Sequence, residues 1–241
     1  MKLSTLKRVV VVAALGAAGA SQAAGIGFEE PINSPFAPFA PLLTHNDEFY
    51  QGGYWLDTFS TKVGADDFDL VGSIVDGADV GNICGGIGCP TNNATNFFAS
   101  LNDGYLALGR VDGQLFKISS LDASFIAAAG DNVLSTAMLL RVDGYLGNTR
   151  IGRTDIYLPG PVNGAYSFST YSFGALFANT EFSEIDIYGF ACTTVTTCTR
   201  SLDKAQFALD NLVVSVPEPS TWALMIAGLA AAVGAARRRS V

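Results

Sequence analysis

The reactive residues of this 241-residue chain give little support for catalysis. His45 is the one histidine, so any histidine-dependent triad would have to use it. No Gly-x-Ser-x-Gly sequence occurs, so the turn that exposes a nucleophilic serine in many hydrolases is not indicated. Two carboxylates can hydrolyse a glycosidic bond without histidine, but the sequence does not select one pair among its many acids. We therefore predict that the protein is not an enzyme, and a secreted glycosidase stays as the catalytic alternative.

The four cysteines form two close pairs in the sequence, Cys84 with Cys89 and Cys192 with Cys198. Neither spacing is the two-residue spacing usual for zinc, so we do not expect a zinc site. Four cysteines in an oxidising compartment allow three disulfide pairings. We predict the local pairing, because a glycine-rich segment can close a small ring after Cys84 and a threonine-rich segment after Cys192 is typical of a hairpin tip.

The last 26 residues contain three features in a fixed order. Val216-Pro217-Glu218-Pro219 comes first, and its prolines hold the backbone extended. An uncharged apolar run from Trp222 to Ala236 follows, shorter than the roughly 20 residues that span a bilayer comfortably. Arg237, Arg238 and Arg239 come last, and the positive-inside rule places them in the cytoplasm. We predict a short transmembrane helix whose C-terminus is cytoplasmic.

This tail resembles the PEP-CTERM sorting signal of Gram-negative bacteria, which has the same three features in the same order. The resemblance implies recognition by an exosortase, an inner-membrane cysteine transpeptidase, and cleavage at or near Pro217-Glu218-Pro219. It also implies that the tail holds the protein in the inner membrane transiently, before the ectodomain reaches the cell surface or the extracellular matrix. An ordinary membrane anchor is the alternative, but such an anchor needs no Pro-Glu-Pro.

The N-terminus has the features of a secretory signal peptide. Three basic residues come first, an apolar stretch from Val9 to Ala20 follows, and small residues precede a cleavage site after Ala23 or Ala24. These features imply the Sec machinery and signal peptidase as partners. We divide the chain into a signal peptide at 1–24, a secreted ectodomain at 25–215 and a sorting signal at 216–241.

The ectodomain is strongly acidic once the two ends are set aside. Six of the 14 basic residues and one of the 22 acidic residues lie in the ends, which leaves 8 basic and 21 acidic residues and a formal charge of −13. Such a surface repels nucleic acid, so we expect no nucleic-acid partner. A solvated surface on a secreted protein explains most of this charge.

The ectodomain has the sequence pattern of an all-β protein. Residues 28–43 are proline-rich and predict an extended arm. Later short apolar or alternating runs, separated by Gly, Asn and Asp, predict strands near 66–74, 104–109, 113–118, 137–142, 150–158, 165–173, 182–190 and 207–214. Leu121–Ala129 fits either a short helix or a buried strand. The spacing predicts an antiparallel β-sandwich or jelly roll.

The segment Gln206-Phe207-Ala208-Leu209-Asp210-Asn211 resembles the last strand of jelly-roll carbohydrate-binding modules, and Phe28-Glu29 resembles the start of their first strand. The Gln-Phe-x-x-Asp pattern is also similar to that of a subgroup of PEP-CTERM proteins. The resemblance implies neighbouring first and last strands and a structural calcium held by Glu29, Asp210 and Asn211, since calcium prefers oxygen ligands. The alternative is that Asp210 and Asn211 cap the strand. No other cofactor is expected.

Tyr54 and Trp55 follow a Gly-Gly pair that can present exposed rings to the face of a sugar. Core packing of these rings is the alternative. We predict a structural or adhesive surface or matrix protein associated with exopolysaccharide. A carbohydrate-binding module with a defined glycan ligand is the second hypothesis.

The tail predicts how the protein is processed. In a host with an exosortase, the mature protein should lack Trp222 to Val241, because cleavage falls near Pro217-Glu218-Pro219. Replacing these three residues by alanine should leave the protein in the inner membrane. Intact-mass spectrometry of the released protein checks this, and a tail still present on it would contradict the prediction.

Overall fold

β-Strands dominate the computed structural model, which describes residues 23–84, 87–128, 136–194, 197–199, 204–216 and 228. The strands that begin before residue 120 are β1 (Ala23–Ile26), β2 (Leu42–Thr44), β3 (Asp47–Gln51), β4 (Tyr54–Ser60), β5 (Leu70–Asp76), β6 (Ile87–Gly88), β7 (Asn96–Ser100), β8 (Gly104–Arg110) and β9 (Lys117–Ala128). The later strands are β10 (Thr136–Leu146), β11 (Thr149–Pro159), β12 (Ser169–Ser172), β13 (Glu184–Cys192), β14 (Cys198–Thr199) and β15 (Gln206–Ser215). Two short helices are α1 (Gly81–Cys84) and α2 (Ala175–Ala178).

The strands form two antiparallel sheets. The first sheet has the order β12-β9-β15-β7-β5-β2, with β1 beside β15 and β6 beside β9. The second sheet has the order β11-β10-β13-β8-β4-β3, with β14 beside β13. This architecture confirms the predicted antiparallel β-sandwich.

The main core lies between the two sheets. Alternate residues of the second sheet point inward, for example Ile185 and Ile187 of β13, which are fully buried. The first sheet contributes buried residues to the same core, such as Phe207, Leu209 and Leu212 of β15. This period-two pattern is what a strand with one buried face requires.

A second, smaller core covers the other face of the first sheet. It contains Phe97 of β7, Ile126 of β9 and Ala208 of β15, packed with the disulfide cysteines 84 and 89. The central strands of this sheet are therefore apolar on both faces. Burial on both faces explains why Leu121–Ala129 lacks a strand-like alternation in the sequence. The segment lies in β9 as far as Ala128, so the buried-strand alternative is confirmed and the helix alternative is wrong.

Several predicted strands start later than their sequence pattern indicated. Residues 66–69 form a turn before β5, because the Asp69 N–H donates to the carbonyl of Asp66 at 2.9 Å. Residues 111–116 form a turn and loop before β9, with Gly113 at φ 69°, a conformation that favours glycine. Only Ser169–Ser172 of the predicted run at 165–173 is a strand.

The first strand lies earlier than the Phe28-Glu29 pair predicted. It is β1, and it pairs with β15 from Ala23 opposite Ser215 to Ile26 opposite Leu212. The expected neighbourhood of first and last strands is therefore confirmed, but Phe28 lies after β1 with φ 57°.

The described sandwich belongs to one compact unit, Ala23–Pro217. The predicted signal peptide up to Gln22 and, apart from Gly228, the C-terminal helix predicted from Trp222 lie outside the described residues. Among the described residues, no helix has the length and apolar character needed to cross a membrane.

Candidate functional site

The outer face of the second sheet, defined as the side chains that point away from the first sheet, gathers aromatic rings and carboxylates. In β13, Glu184, Asp186 and Tyr188 are half-buried on this face while Ile185 and Ile187 are in the core. The register then decides which side chains lie beside them, because directly opposite residues on neighbouring strands are close enough to interact.

An aromatic row crosses three strands of the outer face. Tyr188 of β13 lies opposite Tyr105 of β8, which lies opposite Phe59 of β4. The rings of Phe59 and Tyr105 stack with centroids 5.0 Å apart, and those of Tyr105 and Tyr188 meet at 6.4 Å. Burial and nearby acids, first Asp186, raise the pKa of Tyr105 to about 12, so its phenol stays neutral.

A row of acids runs beside the aromatic row. Asp186 of β13 and Asp57 of β4 are both opposite Ala107 of β8, so this small residue is between two carboxyls. Glu48 and Asp143 extend the row, opposite Asp57 and Asp186 respectively. Neighbouring Cα positions across a sheet are about 5 Å apart, so like charges are crowded here.

The two central acids are held in a protonated form to unusually high pH. Burial, followed by the charge of Glu48, raises the pKa of Asp57 to about 6. Burial, followed by the charge of Glu184, raises the pKa of Asp186 to about 7. One carboxyl oxygen of each, Oδ1, is shielded from water without a hydrogen-bond partner, which a charged carboxylate tolerates poorly.

Asp143 is the anion of the row. Its side chain is 1% exposed, and burial alone would raise its pKa. Its two oxygens accept bonds of 2.6 Å from Nε and Nη2 of Arg153, and one accepts a bond of 2.8 Å from the Tyr188 hydroxyl. These bonds keep the pKa of Asp143 below its ordinary value, as paired charge-assisted bonds do.

The two predicted sugar-stacking residues point in opposite directions. Trp55 is half-buried on the outer face, and a methyl group added at Gly109 would lie 2.3 Å from its Cζ2, so the indole covers that glycine. Tyr54 is 1% exposed in the core, where its ring meets Phe116 at 5.2 Å. The stacking prediction for Tyr54 is therefore wrong, because strand alternation turns adjacent residues to opposite faces.

The residues predicted to hold calcium lie near one another around the segment 93–96. Asp210 Oδ2 accepts bonds from Asn93 Nδ2 at 2.7 Å and Thr95 Oγ1 at 3.2 Å, and Glu29 Oε1 accepts one from the Asn96 N–H at 2.9 Å. Asn211 donates its own N–H to Asp210 Oδ1 at 2.7 Å. Burial raises the pKa of Asp210.

Protein donors thus already satisfy Asp210, although Asp210 and Asn211 lie within β15 and not at its end, where the strand-cap alternative would place them. In the described part of the chain, no three histidine, cysteine, aspartate or glutamate side chains come together as a metal site would need. Amide and backbone oxygens also bind calcium, so calcium binding at Glu29, Asp210 and Asn211 stays a proposal.

The disulfide prediction is confirmed. Cys84 is bonded to Cys89 and Cys192 to Cys198, and no described cysteine is free. The first bridge closes the loop that covers the outer side of the first sheet, and the second joins β13 to β14. Of the sorting residues, Val216 ends the described sandwich, whereas Pro217, Glu218, Pro219 and the three arginines lie outside the described residues.

Sequence reasoning missed Asp57, Tyr105 and Asp186 as members of one surface. The alternation from Glu184 to Tyr188 gave the side of the sheet for Asp186, but its neighbours depend on register across four strands. A single sequence does not contain that register, since β4, β8, β10 and β13 are not consecutive in the chain.

Comparison with known proteins supports the interpretation of the C-terminal tail as a sorting signal. Residues 215–240 match the PEP-CTERM protein-sorting motif, which implies an exported cell-surface protein sorted by an exosortase. No curated protein matches the chain.

Solved structures resemble the sandwich only remotely. A Streptococcus pneumoniae fucose binding module has 7% identity and a TM-score of 0.33, over 67% of this chain and 90% of that one. A xylan-binding domain from Paenibacillus barcinonensis has 11% identity and a TM-score of 0.29, over 82% and 97%. The enzymatically active domain of tailspike protein 4 of bacteriophage CBA120 has 10% identity and a TM-score of 0.33, over 69% of this chain and 20% of that one. At these values the neighbours carry no functional argument.

The acid row predicts that stability falls as pH rises from about 4 to about 7. The folded-state pKa values of Asp57 and Asp186, about 6 and about 7, lie above the ordinary 3.8, so the folded protein binds more protons than the unfolded chain in this window. Asp186→Asn, which resembles the protonated acid, should melt higher than the wild type at pH 8 and show a shallower pH slope.

Asp112→Asn is the matched control for this measurement by thermal melting. Its hydrogen bond from Arg110 lowers the pKa of Asp112 to about 2, so its titration lies below the window and the slope should be unchanged. An unaltered slope in Asp186→Asn would contradict the proposed crowding of acids.

The calcium hypothesis predicts a second response in melting. Millimolar calcium should raise the melting temperature and a chelator should lower it, because a ligand that binds only the folded state stabilises by about 2.7 kcal/mol at a hundredfold excess over its Kd. Magnesium should leave the melting temperature unchanged, and Asp210→Asn should abolish the response to calcium. Equal shifts with both ions would indicate general screening of the acidic surface and remove the site.

Proposed function

We propose that this protein is an exported, non-enzymatic surface or matrix protein that associates with exopolysaccharide through the outer face of its second sheet. The observation that carries the proposal is the aromatic and acidic outer face on a chain that also has an exosortase sorting motif. Sorting by an exosortase brings the domain to the cell surface, and an extracellular polysaccharide is the ligand proposed for it there.

The chemistry of the outer face suits a polyol. Trp55 and the aromatic row offer apolar rings for the C–H faces of sugars. Asp57 and Asp186, whose pKa values are about 6 and about 7, donate as well as accept hydrogen bonds when they are protonated. Since several rings and acids are spread over neighbouring strands, the face offers contacts to several sugar units of one polymer.

A defined glycan ligand is the second candidate function, and the same face supports it. The rings of Phe59 and Tyr105 stack at 5.0 Å in a defined arrangement, which favours selection among sugars. A glycan array with the processed, exported protein separates the two: one glycan class indicates a specific module, whereas retention across matrix polysaccharides indicates a structural or adhesive role.

Substitution of Trp55 tests the site. Trp55→Ala should weaken retention on host exopolysaccharide about two- to twelvefold, because an aromatic contact contributes about 0.5–1.5 kcal/mol. Leu176→Ala, which changes a side chain that is 92% exposed outside this face, is the control and should bind normally. Unchanged binding by Trp55→Ala would exclude the outer face.

The catalytic alternative is tested with the same material. A reducing-sugar assay on host exopolysaccharide should show no release by the wild-type protein. Release that Asp57→Asn or Asp186→Asn abolishes would replace the proposal by a glycosidase that uses these carboxyls.

A further inference from the structure

A separate cavity opens on the edge of the first sheet, away from the outer face already described. Its volume is about 530 Å³, and its lining comes from residues 28–32, from Ala40 and Pro41, from β5 and the segment after it, and from Asn96. This volume lies within the range of roughly 300–1,000 Å³ that ligand sites occupy.

All charged residues that line this cavity in the described structure are acids. They are Glu29, Glu30, Asp76 and Asp79, and all four are exposed. Among the described residues that line the cavity there is no lysine, arginine or histidine. An anionic ligand is therefore repelled, and a cationic one is attracted.

The aliphatic part of the lining lies among these acids. Ile32, Ile74 and Ile83 are half-buried there, with prolines 31 and 41 beside them. The one aromatic lining residue, Phe28, is fully buried and stacks on Phe98 at 6.0 Å, so it has no ring face for a sugar. The lining suits an aliphatic chain better than a sugar ring.

The acids are held in place by the backbone. Glu29 Oε1 accepts from the Asn96 N–H at 2.9 Å, Glu30 Oε1 accepts from the Gly52 N–H at 3.2 Å, and Asp76 Oδ1 accepts from the Ala78 N–H at 2.8 Å. These bonds come from three different parts of the chain. They spread the carboxylates around the cavity, and no three described acids converge as a metal site requires.

We propose that this cavity binds a lysine- or arginine-bearing peptide segment of a partner protein. Long basic side chains combine an aliphatic stem with a charged end, so the stem packs on the isoleucines and the charge meets the carboxylates. Charge complementarity to a surface that carries −13 over the ectodomain assists the encounter. The proposal does not depend on the outer face or on exopolysaccharide binding.

The probe is a blocked tetrapeptide of alternating leucine and lysine, titrated calorimetrically into the processed, exported protein. The same peptide with both lysines acetylated keeps its length and loses its charge. The lysine peptide should bind, the acetylated peptide should bind at least about tenfold more weakly, a difference of about 1.4 kcal/mol, and added salt should weaken the first.

Three variants locate the site. Glu30→Gln combined with Asp76→Asn keeps both backbone hydrogen-bond acceptors, removes two charges and should weaken peptide binding about tenfold or more. Glu181→Gln, an exposed acid outside the cavity, should bind like the wild type, as should Trp55→Ala. Circular dichroism melting confirms that each variant is folded.

Three outcomes would overturn the proposal. Equal binding of the acetylated peptide would remove the role of charge, and an equal loss per charge removed in Glu181→Gln would reduce the effect to net charge. Binding of glucosamine oligomers in place of the peptide would make the cavity a saccharide site. Loss of polysaccharide retention in Trp55→Ala with peptide binding intact would separate this site from the outer face.

Discussion

The face-to-face packing of the two sheets is the interaction on which the other features depend. Inward residues such as Ile185, Ile187 and Phe207 are fully buried, and each buried side chain of this size contributes about 1.5–3 kcal/mol. A one-residue slip in β13 of the second sheet would move its apolar set to solvent and its acids into the core. The core therefore fixes the register, and the register places Asp57 and Asp186 on either side of Ala107.

That arrangement brings like charges together, and the structure reduces their repulsion in two ways. Asp143 is neutralised by the bidentate bond from Arg153, with Tyr188 as a further donor. No described arginine or lysine forms an ion pair with Asp57 or Asp186, and burial raises their pKa values to about 6 and about 7, so they retain protons to higher pH. Crowded acids with raised pKa values make the folded protein less stable at neutral pH than an apolar or evenly charged surface would. Such destabilised groups are common where a protein uses them for binding.

Both faces of the first sheet are covered by apolar cores. One faces the main core, and the other is covered by the disulfide-closed loop of Cys84 and Cys89, with Phe97 and Ile126 beneath it. The cavity with its four acids lies at the border of this covering, beside the segment that Phe28 anchors. The exported protein thus has two chemically distinct surfaces on one sandwich, one aromatic with half-buried acids and one aliphatic with exposed acids.

The sequence by itself determined the sorting tail, the all-β class, the local disulfides and the outward direction of Glu184 and Asp186, because each depends on residues close together in the chain. It did not decide between helix and strand at Leu121–Ala129, since two cores make that strand apolar on both faces. It placed Tyr54 wrongly, because the phase of β4 is set by packing against the first sheet. Only the tertiary structure brought together the acid row and the acidic cavity, since their members come from strands and loops far apart in sequence whose register is set by long-range burial.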